Sequence, residues 1–475
     1  MVANINTSQD EIIEWLEERQ GRFHAMADEI WDNPELALAE YKACKLQSDD
    51  LAADGFTITR NIGDLSTAII AEYTHGSGGP IIGFLGEYDA LPGLSQERQP
   101  GQSPIVVDGP GHGCGHNLLG TAALASASVI KAWLIATNTA ATVRYYGCPA
   151  EETCEGKVFM ARAGAFDDLD LALSWHPGIT NTAWAGSSLS VNNLKFRFKG
   201  RTAHAAGNPE TGRSALDAVE LMNIGVNFLR EHTIEKSRIH YVITHGGGAP
   251  NVVPDDAEVW YFVRAPERSQ VEELTDRVRK IADGAAMMTE TTVTENFIAG
   301  AYNLLPNMVL TRHMDGVLSD LGAIDFDEED YEYAKAVAAQ YPEAMRAAGL
   351  VKRGLPASIV NDGLSAVPWP ILDEGELGAG STDVADVSWI APTGQIRTTC
   401  FAIGVPGHSW ANTATGGVAI GRKGMIHAAK GMAITAADFI KDPALLQSAK
   451  DEFAQSTAGR PYACPIPPHV QPRKP

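Results

Sequence analysis

Four stretches of this chain bring together side chains of the kinds that hold metal ions and move protons. In Gly111-His112-Gly113-Cys114-Gly115-His116, a thiol and an imidazole sit one glycine apart. Glycines let a backbone turn tightly and approach other groups closely. Cys114 and His116 can therefore be aimed at one small object, and thiolate with imidazole suits a borderline divalent ion. A tight turn with an incidental Cys and His is the simpler alternative, and the second CxxC or HxxxH half of a zinc finger is missing. Cys148-Pro149-Ala150-Glu151-Glu152 adds adjacent glutamates, one able to ligate an ion while the other reaches toward a substrate. His176, before Pro177, and His408, after Pro406-Gly407, belong to tight loops rather than apolar faces. A lone loop histidine is usually surface decoration; two of them alongside Cys114-His116 and a glutamate pair are better read as one site.

The elements that must position these residues follow from hydrophobic periodicity. Residues 8–32 read as an amphipathic helix ended by Asn33-Pro34, and a second helix runs over 36–53 to Gly55. Apolar, β-branched runs at 66–73, 80–85, 142–147 and 169–175 read as strands. The second delivers Glu87-Tyr88-Asp89, the third Glu151-Glu152 and the fourth His176. Ligands of open α/β sheets gather at strand C-termini, so these strands converge on one site. A long apolar helix is expected from Asn117, as N-cap, to about Ala136. From about 187 to 298 the pattern becomes β-α-β-β-α-β, the ferredoxin-like arrangement. The expected architecture is a mixed-sheet α/β catalytic domain with helices on both faces, 1–186 and 299–475. Into it is inserted a lid or dimerisation domain, 187–298. Residues 321–345 read as an acidic surface insertion, 399–403 as a strand leading to His408, and 423–440 as a last helix. The Pro-rich tail beyond Gly459 is left without regular structure.

The bulk properties narrow the function classes. At 475 residues the chain is long enough for two domains, and its formal net charge of −22 disfavours nucleic acid or an anionic membrane as partner. The first residues lack the basic and apolar regions of a signal peptide, and no uninterrupted apolar run has the ~18 residues of a membrane span. Six cysteines in so long a chain read as reduced thiols. A cytoplasmic protein is expected.

GHGCGH, CPAEE, SWHPG, GRTAHAAGNP (200–209) and PGHS (406–409), in this order, resemble the two-metal aminoacylase and carboxypeptidase family, which includes auxin-conjugate hydrolases and carboxypeptidase G. The resemblance covers nearly the whole chain. GEYDALPGLSQ, AGAYNLLPN and GSTDVADVSW are most similar to its branch acting on aminobenzoyl-glutamate. The resemblance implies hydrolysis of N-acyl amino acids, two divalent ions (zinc or manganese), and a homodimer or a heterodimer with a paralogous subunit. By it Cys114, His116, Glu152, His176 and His408 are the metal ligands and Glu151 the general base. Asn251 and Arg264 contact substrate, and His204 reaches the active site of a partner. Asp89, Asn117 and Asp383 lie behind the ligands and orient them. By the resemblance, Asn117 stands where auxin-conjugate hydrolases have Asp, Glu87 where other branches have a ligating His, and Thr382-Asp383 where neighbouring branches have Glu-Asp. A ligand role for Glu87 is therefore not expected.

Other classes explain less. A zinc deaminase requires HxE followed by PCxxC, which the spacing of Cys148 and Cys154 does not satisfy. A cysteine hydrolase built on Cys114 and His116 leaves Glu152, His176 and His408 without a role. An inactive or partner-dependent binding subunit of a heteromeric amidohydrolase remains as the non-catalytic alternative.

Overall fold

The computed structural model describes residues 7–474, so the leaderless reading of the N-terminus rests partly on residues 1–6, outside the described ones. In chain order the strands are β1 (Thr57–Arg60), β2 (Ile69–His75), β3 (Ile81–Glu87), β4 (Ala141–Cys148), β5 (Leu171–Gly178), β6 (Thr182–Ala183), β7 (Ser190–Lys199), β8 (Arg238–His245), β9 (Asp256–Ala265), β10 (Thr292–Ala301) and β11 (Thr393–Thr399). The helices are α1 (Thr7–Asp32), α2 (Tyr41–Ala53), α3 (His116–Thr137), α4 (Gly156–Arg162), α5 (Ala215–Leu229), α6 (Arg268–Thr289), α7 (Met308–Leu321), α8 (Glu328–Ala338), α9 (Glu343–Lys352), α10 (Val384–Ser388), α11 (Trp410–Gly416), α12 (Ala419–Lys441) and α13 (Pro443–Thr457).

The larger sheet has the order β1-β2-β4-β3-β5-β11-β6. Its centre, β4-β3-β5-β11, is parallel, and antiparallel strands close both edges. Successive side chains of these strands feed opposite cores, as the period of two requires. Ile82, Phe84, Val143, Tyr145, Leu171 and Leu173 join α1, α3 and α12 on one face. Leu85, Tyr146, Cys148 and Ala172 join α4 and α10 on the other. Both faces are covered, the condition under which parallel strands are found. A four-stranded antiparallel sheet, β10-β7-β9-β8, carries α5 and α6 on one face around Leu194, Phe196, Val219, Met222, Val259 and Val278. Its β-α-β-β-α-β order is the one anticipated.

Several expectations are corrected. The helix placed at 36–53 begins at Tyr41, because the Glu35 carboxylate accepts the Lys42 and Ala43 N–H groups at 2.8 and 3.1 Å and Leu36 bridges to Ala90. The strand placed at 399–403 lies earlier, at Thr393–Thr399, in register with β5. Gly115, left-handed at φ 82°, rather than Asn117, precedes α3, so His116 is the first residue of that helix. The acidic run is only partly solvated: Asp327 and Asp330 form a capping box on α8, and buried Asp330 holds the Lys423 ammonium at 2.6 Å. Among the described residues one helix, α3, is long and apolar enough by length and composition to cross a membrane, but its apolar window is 83% buried in the protein core. All six cysteines are free thiols.

Candidate metal and active site

Because β3, β4, β5 and β11 run parallel, their C-terminal ends share one edge of the sheet. That edge gathers Glu87 and Asp89 after β3, the Glu151-Glu152 turn after β4, His176 within the end of β5, and the loop to His408 after β11. The Gly111–His116 loop enters beside them and continues into α3. Its glycines are needed there: a Cβ on Gly111 would stand 1.9 Å from Leu94 O. Three sets of ligand atoms come together, each within 4.8 Å: Cys114 with His116 and His176, Cys114 with Glu152 and His408, and Glu87 with His116 and Glu151. Cys114 Sγ is 3.3 Å from His176 Nε2, His116 Nε2 is 4.0 Å from Glu151 Oε2, and His408 Nε2 is 3.6 Å from Glu152 Oε2.

The surrounding contacts orient these groups. His116 Nδ1 lies 2.9 Å from Asp89 Oδ1, while Asp89 Oδ2 accepts the Glu152 N–H at 3.0 Å. One carboxylate thus ties the His116 ring to the glutamate turn, leaving Nε2 directed at Glu87 and Glu151. His176 Nδ1 bonds Pro177 O at 2.7 Å, which leaves Nε2 toward Cys114. Asp383 binds the backbone N–H of Lys157 at 2.8 Å and its ammonium at 2.6 Å. Asn117 points elsewhere, toward Ala27 O at 3.3 Å, so orientation of His116 falls to Asp89.

The electrostatics describe a site short of positive charge. Burial, then Glu152, pushes the Cys114 thiol well up. Burial, then Glu87 and Glu152, raises Glu151 well above the carboxylate range, and burial brings Glu152 to about 7. Burial followed by the charge on His116 lowers His176 to about 4, the neutral form a metal ligand needs. His116 itself is opposed by burial but raised overall by Cys114 and Asp89. His116 Nε2, Glu87 Oε2 and Glu152 Oε1 are buried without hydrogen-bond partners. Unpaired buried polar atoms are costly, and divalent cations held here would give such atoms a partner. The donor set fits the ions the resemblance implies.

Lys157 and Glu40 were not anticipated as parts of the site; Glu87 is placed there by its strand but not expected to offer a ligand atom, and it lies in one of the three ligand-atom sets. Lys157 is fully buried and its ammonium lies 2.6 Å from both Glu87 Oε1 and Asp383 Oδ1. Glu87 thereby presents its second oxygen to His116 Nε2 at 3.3 Å. A signal existed: Lys157 opens the apolar run Val158-Phe159-Met160-Ala161, where a charge has to be paired. Buried Glu40 accepts the N–H groups of Leu38 and Ala150, each at 2.9 Å, and so pins the entry to the glutamate turn. Nothing in its helix-like surroundings marked it out.

The remaining expected residues lie on the second sheet's segment. Arg264, on β9, donates to Ser381 Oγ at 3.1 Å while its buried Nε has no partner. Burial, then Glu151, raises the Cys154 thiol, and the Arg264 charge only partly opposes that. His204 and Asn251 are exposed. His204 Nδ1 accepts the Ala206 and Gly207 N–H groups at 3.2 and 3.0 Å, and among the described residues none of its hydrogen bonds reaches the Cys114 cluster of its own chain.

A peptidase dimerisation domain model matches residues 190–287. The chain is 44% identical over 470 residues to a subunit of the p-aminobenzoyl-glutamate hydrolase of Escherichia coli, a match covering 96% of this chain and 97% of that one. A solved aminohydrolase structure from methicillin-resistant Staphylococcus aureus aligns over 91% of this chain and 100% of its own, with TM-score 0.63 and 17% identity. A dinuclear metal-binding peptidase of the M20 family from Bacillus subtilis aligns over 88% of this chain and 99% of its own, with TM-score 0.51 and 19% identity. With the whole-length identity, the dimerisation domain and the shared fold in agreement, the chain belongs to the M20 family of metal-dependent amidohydrolases and peptidases and is an enzyme of that family.

Proposed function

We propose that this protein hydrolyses the amide bond of N-acyl amino acids, and of N-acyl-glutamates such as p-aminobenzoyl-glutamate in particular. Two divalent ions, zinc or manganese, would be held by Cys114, His116, Glu152, His176 and His408. The observation that carries the reading is the convergence of ligand atoms on Cys114 beside Glu151, a carboxyl that burial and its neighbours keep inclined to hold a proton. The 44% identical relative named for p-aminobenzoyl-glutamate supports the substrate class.

When bound, the ions supply positive charge that polarises the scissile carbonyl and acidifies water. Glu151, ionised where the charge of the ions offsets its burial and acidic neighbours, would take the proton of the attacking water and pass it to the departing amine nitrogen, acting as base and then as acid. The C–O bond forms first as the carbonyl π electrons move to oxygen; the C–N bond then breaks as its nitrogen takes the proton from Glu151, and the products are a carboxylic acid and a free amino acid. Asp89 holds His116 and the glutamate turn in register during this exchange. Arg264, with unpaired Nε and a planar fork of donors, suits the carboxylate next to the amide. His204 and Asn251, exposed on the second sheet's segment, would complete the site of a neighbouring subunit, with His204 stabilising the oxyanion. The neighbour is a second copy or a paralogous chain; the relative's designation as a subunit favours a heteromer. A cytoplasmic setting fits six free thiols.

The test is amine release over a panel of N-acyl amino acids and dipeptides, after chelation and again after adding back zinc or manganese. Metal-dependent release favouring N-acyl-glutamates is expected. Full activity in metal-free protein would overturn the reading. Activity seen only on mixing with a paralogous chain would establish the partner-dependent form.

A further inference from the structure

The turn that carries Glu151 and Glu152 is short and backbone-strained. It is bracketed by Ala150 and Cys154, both left-handed at φ 56° and 55°, a conformation that non-glycine residues adopt at a cost. Such a turn keeps its shape only where its surroundings over-determine it. Three restraints come from within the catalytic edge: Glu40 on the Ala150 N–H at 2.9 Å, Asp89 on the Glu152 N–H at 3.0 Å, and Asp383 on the Lys157 N–H at 2.8 Å.

The fourth comes from the far end of the chain. Glu155, the residue after the turn and the N-cap of α4, is fully buried. One of its oxygens accepts the Thr153 hydroxyl at 2.7 Å, and its N–H returns to Ala150 O at 3.2 Å, so it closes the turn on itself. Its counter-charge is Arg473, which grips it in a fork, Nε to Oε1 at 2.8 Å and one terminal nitrogen to Oε2 at 2.6 Å. Residues 458–474 have no helix or strand, but they are laid against the same region. The Tyr462 hydroxyl donates to Asp386 Oδ1 at 3.0 Å, Ile466 is buried, and Arg162 of α4 donates to Val470 O at 2.7 Å. These bonds go to α4, α10 and the residue that closes the glutamate turn, behind the metal-ligand groups rather than to them.

We propose that the segment 458–474 is a strap that positions Glu151 and Glu152, with Arg473 as its positioning residue acting through Glu155. The physical reason is the pairing itself. A bidentate guanidinium–carboxylate contact fixes both distance and plane, and here the carboxylate belongs to the turn on which the proposed base and one proposed ligand are mounted. Displacement of a catalytic group by about 1 Å can cost on the order of 100-fold in rate. The proposal rests on Glu151 and Glu152 having the roles given above.

The experiment compares wild type with Arg473→Ala, Arg473→Lys and Arg460→Ala. Arg460 is a charge on the same segment whose side chain is 56% exposed; it donates back to Ser456 O, lies over the Trp389 ring and faces Glu267 at 4.0 Å, and among the described residues none of its hydrogen bonds goes to α4 or the glutamate turn. Three readouts are taken on the full chain: amide exchange of the peptide spanning 150–157, cobalt(II) titration of the metal-free protein followed by its absorption spectrum, and kcat and KM. Arg473→Ala should speed exchange at 150–157 and weaken cobalt binding. It should also lower kcat about tenfold or more with KM within about twofold, and lower the melting temperature while the fold is retained, because buried Glu155 loses its counter-charge. Arg473→Lys should recover part of each loss, and Arg460→Ala should match wild type. The strap is overturned if exchange at 150–157 is unaltered, or if it rises without change in cobalt binding and kcat. Equal effects of Arg460→Ala, or loss of structure throughout the chain, also overturn it. Glu151→Gln separates the two readings. If that variant keeps wild-type turnover, the proposed function fails, while exchange and cobalt binding still decide the strap.

Discussion

In the proposed mechanism Glu151 and Arg264 make different demands on a substrate, and single substitutions separate them. On the proposed mechanism Glu151→Gln removes proton transfer for every substrate, so kcat should collapse across the panel while metal analysis finds the ion content of wild type. In the same mechanism Arg264 would act only where a carboxylate is present to meet its unpaired Nε. Loss of one charge-assisted pair costs about 1.5–3 kcal/mol, roughly 10- to 150-fold in kcat/KM. Arg264→Ala should therefore penalise N-acyl-glutamates by that factor and barely change an analogue whose adjacent carboxylate is an amide. Arg264→Lys should recover only part, because a point charge cannot form the fork. Equal slowing of both substrates would make Arg264 a structural residue bonded to Ser381 and leave the carboxylate without its anchor.

At the scale of elements, the short helices α4 and α10 carry the site from behind. α4 starts so close under the preceding turn that a Cβ on Gly156 would stand 1.7 Å from Pro149 O. Gly156→Ala must push the glutamate turn or the helix aside, at a cost of about 1–3 kcal/mol. Chemical denaturation should read that loss, together with a fall in kcat. α10 contributes Asp386, which burial pushes up to about 7 while it accepts the Tyr302 N–H and the Tyr462 hydroxyl. A carboxyl whose folded value exceeds its unfolded value of about 3.9 favours the fold in its protonated form. Its contribution is complete below that unfolded value and is lost as pH rises through about 7. Asp386→Asn keeps an oxygen for Tyr302 and removes the titration, so it should stabilise the protein at about pH 8 relative to wild type and flatten the pH dependence of denaturation midpoints above about pH 4. An unchanged dependence would assign the pH response to another buried carboxyl, Glu40 being next at about 8.

For the whole molecule, the open assignment is which site His204 serves, since it is in none of the ligand-atom sets around Cys114 and His116. The His204 ring bonds its own loop, and β8, the outer strand of its sheet, leaves Tyr241, Val242 and Ile243 exposed. An unpaired apolar strand edge invites pairing with another chain. If His204 serves a neighbour's site, a mixture of His204→Ala and Glu151→Gln chains, each inactive alone, should regain activity as hybrid assemblies form, because one site in each hybrid is then intact. A mixture that stays inactive while mass spectrometry detects hybrids would confine His204 to a structural role.

What could be read without coordinates was whatever depends on local order. The strands at 80–85 and 142–147, the β-α-β-β-α-β run and the chemistry of Cys114, His116, Glu151, Glu152, His176 and His408 are all legible, because alternation, turn residues and ligand types are properties of short segments. The parallel order β4-β3-β5-β11 and the pairings it creates are not, since each joins residues far apart in the chain. Lys157 meets Glu87 and Asp383 across separations of 70 and 226 residues, Glu40 meets Ala150 across 110, and Arg473 meets Glu155 across 318. The same holds for the tail after Gly459: its composition announces only that it forms no helix or strand, and its use as a brace depends on what lies under it. Asn117 shows the converse. Its position after Cys-Gly-His suggested a partner for His116, but the helix start at His116 turns its amide toward Ala27, and Asp89 takes that place. Local sequence determined which groups could do chemistry; burial decided which of them had to be paired, and tertiary packing alone chose the partners.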